Sequence, residues 1–132
     1  AAGARRCLPL NVSGAFHTLL MHPAGDALRE KFQSIHFAPM QFPVLFNCKG
    51  GPMEAGETIP ELLVRQVQSS VYMEDTLRRL GELGVTDILE VGPGKALSGF
   101  VKKTLGADVH CTAVETAEEL EAFLTSWKEA QA

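Results

Sequence analysis

Apolar residues recur at Leu20, Ala24, Ala27, Leu28, Phe32 and Ile35, a spacing that returns to one helical face every three or four residues. Pro23 has no N–H to donate, so it falls in the first turn or marks a kink, and the helix starts between Thr18 and His22. Ahead of it, Cys7–Val12 reads as extended. Val44-Leu45-Phe46-Asn47-Cys48 is a short apolar run between Pro43 and Gly50-Gly51-Pro52, the pattern of a buried strand followed by a turn. Thr58 with Glu61 forms a capping box, Pro60 is tolerated so early in a helix, and the helix runs to about Gln68. Ser70 is placed to cap another helix, which turns Met73, Thr76, Leu77, Leu80 and Leu83 inward and stops at Gly84. Asp87–Val91 reads as a second buried strand. Gly92-Pro93-Gly94 turns it into a helix with Leu97, Phe100, Val101 and Leu105 on one side and Lys102 and Lys103 at its C-terminal end. Val109–Val114 makes a third strand. Thr116 and Glu119 open a final amphipathic helix through Leu120, Phe123, Leu124 and Trp127. Strands that alternate with helices predict an α/β fold, a three-layer sandwich with a mostly parallel sheet, and functional groups at the C-terminal ends of its strands.

With 132 residues, 45% of them hydrophobic, the chain has material for one domain and one core. A net charge of −4 with scattered Lys and Arg argues against a nucleic-acid partner. Cys7, Cys48 and Cys111 are odd in number and widely spaced, which supports neither a disulfide framework nor a zinc site and suits a reducing, cytoplasmic setting. No apolar run is long enough to span a bilayer, and 1–6 lacks the apolar middle of a secretory signal. The one linker-like piece is Cys48–Glu57. Because Cys7–Val12 has nothing ahead of it to pair with, an N-terminal part of the protein is expected to be missing from this chain.

The best candidate for chemistry lies in Asn11-Val12-Ser13-Gly14-Ala15-Phe16-His17-Thr18, where a strand ends in small residues and delivers His17 to the mouth of a helix. Backbone groups at such a junction can orient an imidazole while its free edge faces a cleft, as a general base requires. From the residues alone Phe16 reads as a core aromatic and Gln66 as a solvated helix position. Gly92-Pro93-Gly94-Lys95 does not have the spacing of a nucleotide-binding phosphate loop and reads as a tight turn. His22, His36 and His110 have no metal-ligand spacing with one another or with the cysteines, so no metal site is expected. Arg78, Arg79, Lys102 and Lys103 suit an acidic protein face, a ligand phosphate or plain helix-end solvation.

Three segments in this order, Val12-Ser13-Gly14-Ala15-Phe16-His17-Thr18-x-x-Met21, Gln66-x-x-Ser69-x-Val71 and Glu90-Val91-Gly92-Pro93-Gly94-Lys95-x-Leu97-Ser98-Gly99, resemble malonyl-CoA:acyl carrier protein transacylases. The resemblance covers essentially the whole chain. It implies that 1–13 is the last strand of a small ferredoxin-like subdomain and 14–132 the C-terminal half of a hydrolase-like large domain. It further implies ping-pong transfer of a malonyl group from malonyl-CoA to acyl carrier protein through an acyl-serine, in fatty acid biosynthesis, with no bound cofactor. Carried over by position, His17 is the base, the backbone carbonyl of Gln66 orients it, and Phe16 reads the extender unit in a malonyl-selective form. None of Ser13, Ser34, Ser69, Ser70, Ser98 and Ser126 lies in a G-x-S-x-G elbow, so the nucleophile is expected in the missing N-terminal half of the enzyme and this chain alone is expected to be inactive. The alternatives are a non-catalytic α/β module that binds carrier protein or CoA, or part of a polyketide-type acyltransferase domain.

Overall fold

The computed structural model describes residues 11–130, together with residues 3, 7 and 9. The strand expected over Cys7–Val12, with most of the segment 1–13 assigned to a small subdomain, lies largely outside the described residues; Asn11 and Val12 adopt no regular secondary structure.

A short 3₁₀ turn at Leu19–Met21 leads into α1, His22–Phe32, with Pro23 in its first turn where a missing N–H costs nothing. Ile35 lies beyond the helix and, like Leu20, is exposed, so the apolar period overshoots the element at both ends. β1, Leu45–Phe46, pairs antiparallel with β2, Gly51–Pro52. The apolar run 44–48 is therefore one arm of a tight hairpin and not a strand of a parallel sheet. Its apolarity comes from burial: Phe46, Cys48 and Leu62 form the buried cluster, with Met40, Val44, Met53 and Ile59 packed against it.

The segment Cys48–Glu57, expected as a linker, is folded. Cys48 is fully buried, its Sγ 3.5 Å from Leu62 O, and burial pushes its thiol pKa up. Lys49 is ion-paired with Glu57 and lies 3.3 Å from Glu54 Oε1. Gly50 has φ 69°, and a Cβ there would lie 2.5 Å from Asp75 Cβ, so the turn docks directly on the start of α3.

α2, Ile59–Gln68, is capped by Thr58 Oγ1, which accepts from Glu61 N and donates to the Glu61 carboxylate. α3, Met73–Glu82, is preceded by Tyr72 and not by Ser70, and has no side-chain cap; Tyr72 N instead donates to Asn47 O at 2.7 Å, so the hairpin fixes the helix start. Its C-terminus closes as expected on Gly84, φ 74°, with Gly84 N to Gly81 O and Val85 N to Leu80 O in the Schellman pattern. Leu83, expected inward, is exposed because it sits past the last helical turn.

β3, Asp87–Val91, and β4, His110–Val114, pair in parallel with Asp87 opposite His110 and Val91 opposite Val114. α4, Ala96–Leu105, bridges them and packs on α3, where Leu77 and Val101 are among the most buried side chains. α5, Ala117–Ala130, starts on a reciprocal box in which Glu119 N donates to Thr116 Oγ1 and Thr116 N to Glu119 Oε2, each 3.2 Å. The fold among the described residues is thus α/β, with one parallel and one antiparallel strand pair.

Candidate functional site

The last four carbonyls of a helix have no partner inside it. In α2 these belong to Arg65, Gln66, Val67 and Gln68, and three of them find partners in two residues. Arg65 O accepts from Ser69 Oγ, Gln66 O lies 2.9 Å from His17 Nδ1, and Val67 O accepts from His17 N at 3.2 Å. His17 therefore closes the end of α2 with both its backbone and its ring.

A carbonyl oxygen only accepts, so the proton of this hydrogen bond sits on Nδ1, and in the neutral ring Nε2 keeps its lone pair. Nε2 has no hydrogen-bond partner among the described residues, and His17 is exposed.

His17 has φ 62°, the only positive value among the described non-glycine residues. Left-handed backbone costs a branched or bulky residue energy and persists where the surroundings hold it, commonly at functional sites. Here the surroundings are specific. Thr18 Oγ1 donates to Ala15 O at 2.8 Å and accepts from Leu20 N at 3.3 Å, while Met21 N donates to Thr18 O, so a tight turn brackets His17 on both sides. α1, which follows, packs on α2 at buried Gly25, where a Cβ would lie 2.8 Å from Gln68 Oε1. The turn that carries the histidine thus leads into one helix and its acceptor lies at the end of another, and the two helices are packed against each other.

Phe16 is 55% exposed and not part of the core. Its ring lies over Gly14, 3.2 Å from where a Cβ would stand, so the Gly14–Phe16 step is shaped by contact between the two. The structure brings His17 to Gln66, while Phe16, next to His17 in the chain, lays its ring over Gly14. A groove of about 500 Å³ between α1 and α2 opens elsewhere, between Arg29, Phe32, Val64 and Arg65.

The sequence reading passed over two positions that the geometry makes important. One is Val67, whose carbonyl holds the His17 backbone; no side-chain pattern signals a backbone acceptor. The other is Glu90. Its carboxylate is buried at the end of β3 and accepts from Leu97 N at 3.0 Å, Ser98 N at 2.8 Å and Ser98 Oγ, closing the first turn of α4 from the neighbouring strand. The Ser98 hydroxyl, followed by these N–H groups, holds the Glu90 carboxyl below the usual carboxylate range against the opposing effect of burial. Cys111 Sγ extends the chain to Ser98 Oγ at 3.3 Å. An acid inside an apolar strand, eight residues before a serine, is the signal that could have revealed it. Gly92, Gly94 and Lys95 form the turn between, consistent with its reading as structure.

No protein-family model matches the chain. The malonyl CoA-acyl carrier protein transacylase of Bacillus subtilis is 38% identical over 127 residues, which cover 96% of this chain and 40% of that protein. The solved malonyl CoA-acyl carrier protein transacylase of Clostridium perfringens is similar over 94% of this chain and 39% of its own, at 35% identity and a TM-score of 0.82. A malonyl-transacylase solved in complex with its type II polyketide-synthase acyl-carrier protein is similar over 92% of this chain and 39% of its own, at 38% identity and a TM-score of 0.77. The chain spans two-fifths or less of the length of the curated relatives it matches first, 34% and 40%.

Proposed function

We propose that this chain, which matches the C-terminal portion of the malonyl CoA-acyl carrier protein transacylases, supplies the general base for transfer of a malonyl group from malonyl-CoA to acyl carrier protein. The observation that carries the reading is the His17 Nδ1 to Gln66 O hydrogen bond, which fixes the tautomer and leaves Nε2 free.

The nucleophile is a serine hydroxyl outside this sequence, in the portion of the fold that precedes it. His17 Nε2 takes the hydroxyl proton as Oγ attacks the thioester carbonyl, and the resulting imidazolium returns that proton to the departing CoA sulfur. The malonyl-serine ester is then attacked by the carrier's thiol, His17 takes the thiol proton, and the serine oxygen leaves with it. Gln66 needs only its main chain for this, so no buried carboxylate is required behind the imidazole. Phe16 crowds the acyl α-carbon and favours malonyl over methylmalonyl. The chemistry calls for no bound cofactor, and malonyl-CoA enters as substrate.

In the complete protein, 14–132 forms the C-terminal half of a three-layer hydrolase-like domain and 1–13 the last strand of a ferredoxin-like subdomain. The setting is the cytoplasm, in fatty acid biosynthesis. A polyketide carrier is the second reading, favoured by the complex solved for a relative with such a carrier.

The test joins this chain to the complementary N-terminal portion of the Bacillus subtilis relative and measures malonyl transfer to acyl carrier protein with and without His17→Asn. Asparagine tolerates left-handed backbone, and its amide N–H can still reach Gln66 O, but it cannot accept a proton. The variant should fold like the parent and lose about 10²–10⁴-fold in transfer rate. Transfer unaffected by His17→Asn refutes the reading, and so does transfer by these 132 residues alone above the same control. A joined protein that folds and binds carrier without any transfer leaves the non-catalytic module instead.

A further inference from the structure

We infer that Gly25 and Gln68 form the contact that sets the His17 ring at hydrogen-bond distance from Gln66 O, which makes both of them positioning residues for acyl transfer. The inference rests on the acyl-transfer reading above for its effect on rate, and on packing within this chain for its geometry.

Gly25 is the one buried residue of α1, while Ala24, Leu28 and Phe32 are half-buried. Glycine inside a helix costs stability relative to alanine, so a helix seated at its glycine needs a packing reason. Gln68 supplies it: a Cβ on Gly25 would lie 2.8 Å from Gln68 Oε1, 3.2 Å from Gln68 Cδ and 3.6 Å from Val64 Cγ1. The whole amide, and not its oxygen alone, fills the place of the absent methyl. Gln68 also breaks a local rule. Its Oε1 is buried with no hydrogen-bond partner among the described residues, a cost that an apolar side chain would not carry. Two unfavourable choices thus meet at one contact, and such conflicts collect where function and not stability sets the residue. Both sides of the contact lie in this chain and Oε1 is already covered, so neither feature depends on residues beyond it.

The contact governs His17 because of what adjoins it. Gln68 ends α2, in the same turn as the two carbonyls that hold the histidine, Gln66 O against Nδ1 at 2.9 Å and Val67 O against the main-chain N at 3.2 Å. On the other side, Gly25 is the fourth residue of α1, a helix with no side-chain cap that starts directly from the turn after His17. Thr18 Oγ1, bonded to Ala15 O and Leu20 N, and Met21 N, bonded to Thr18 O, tie that turn together, so it moves with α1. Any displacement of α1 against α2 is passed to the Nδ1–Gln66 O bond, and hydrogen bonds tolerate little of it.

The test uses this chain joined to the N-terminal portion of the Bacillus subtilis transacylase. Gly25→Ala is the informative variant because alanine improves helix propensity, so a loss of function is not a loss of α1. It is expected to lower kcat for malonyl transfer about tenfold with KM for malonyl-CoA little changed, as a misaligned base requires. It is also expected to abolish the hydrogen-bonded Nδ1–H resonance of the His17 ring, which is assigned by its loss in His17→Asn. Adding Gln68→Ala removes the amide that the new methyl meets, and the double variant is expected to recover both readouts. Parental kcat or an unchanged Nδ1–H resonance in Gly25→Ala overturns the inference, and so does a loss that Gln68→Ala fails to relieve. If Gly25→Ala alone does not fold, recovery of folding and of the resonance in the double variant supports the contact, and no recovery overturns it. A parent that shows the resonance without His17-dependent transfer removes the acyl-transfer reading and leaves the contact to be decided by the resonance alone. His17-dependent transfer that no change at Gly25 alters leaves that reading standing without this one.

Discussion

The imidazole of His17 and its own main-chain N–H both point at the end of α2, and the backbone there takes a left-handed turn that few side chains accept. Removing the side chain should therefore cost structure as well as chemistry: His17→Ala loses the bond to Gln66 and keeps an unfavourable φ. Measured by thermal melting, His17→Ala should unfold below His17→Asn, and equal midpoints would contradict the capping role. Phe16, exposed beside it, is a different case. Phe16→Ser in the complete enzyme should raise the kcat/KM for methylmalonyl-CoA relative to malonyl-CoA, by roughly 10–200-fold if the ring excludes one methyl group. An unchanged ratio would remove Phe16 from the selectivity argument. The small residues before His17 marked it as a candidate in the sequence, and the structure sets its ring against the end of α2. The left-handed φ and the role of Val67 were not visible, because backbone acceptors leave no trace in side-chain identity.

Two joints between secondary-structure segments carry comparable weight. In the first, Glu90 holds α4 onto β3. Its carboxyl pKa is lowered in the folded protein, chiefly by the Ser98 hydroxyl, so the folded state binds the proton less readily than the unfolded chain. The stabilisation is then fully present above the ordinary carboxylate range and is lost as pH falls through the lowered folded value. Glu90→Gln should lower the melting temperature at neutral pH and shrink the difference between neutral and acid melts; an identical pH profile would show that Glu90 is not the linked group. In the second joint, Gly50 combines φ 69° with contact to Asp75 and Tyr72. Gly50→Ala should cost about 1–3 kcal/mol from the backbone alone, read from urea unfolding, and a neutral effect would mean that the hairpin does not dock on α3 as described. The capping boxes and the Schellman glycine could be read directly from spacing, because they are local. The run at 44–48 reads correctly as a buried strand followed by a turn, but its antiparallel pairing with Gly51–Pro52 was not legible because an apolar run reports burial and not partner direction, and the Cys48–Glu57 linker reading failed because its glycine and proline serve a tight turn.

Across the molecule, the alternation of strands and helices correctly indicated an α/β arrangement, but the expected inward faces are only partly inward. Leu97, Phe100, Leu120 and Leu124 are each at least 39% exposed, and Val12, Leu19, Leu20 and Phe42 are more so. Helical period marks the side of an element meant for burial whether or not its partner is present. So much uncovered apolar surface should make the chain self-associate on its own, and sedimentation velocity should show species that grow with concentration and disappear when the complementary transacylase portion is added. A single monomeric species at all concentrations would contradict this.

The most direct check on the assigned chemistry is the protonation pattern of the His17 ring, read by ¹⁵N NMR of the ring nitrogens at a pH where it is neutral. A hydrogen-bonded, protonated Nδ1 and an unprotonated Nε2 are expected, with the pattern retained when Gln66 is replaced by Ala, since only its carbonyl is used. A ring protonated on Nε2, or one exchanging freely between both forms, would mean that Gln66 does not hold the imidazole and that His17 is not prepared to act as the base.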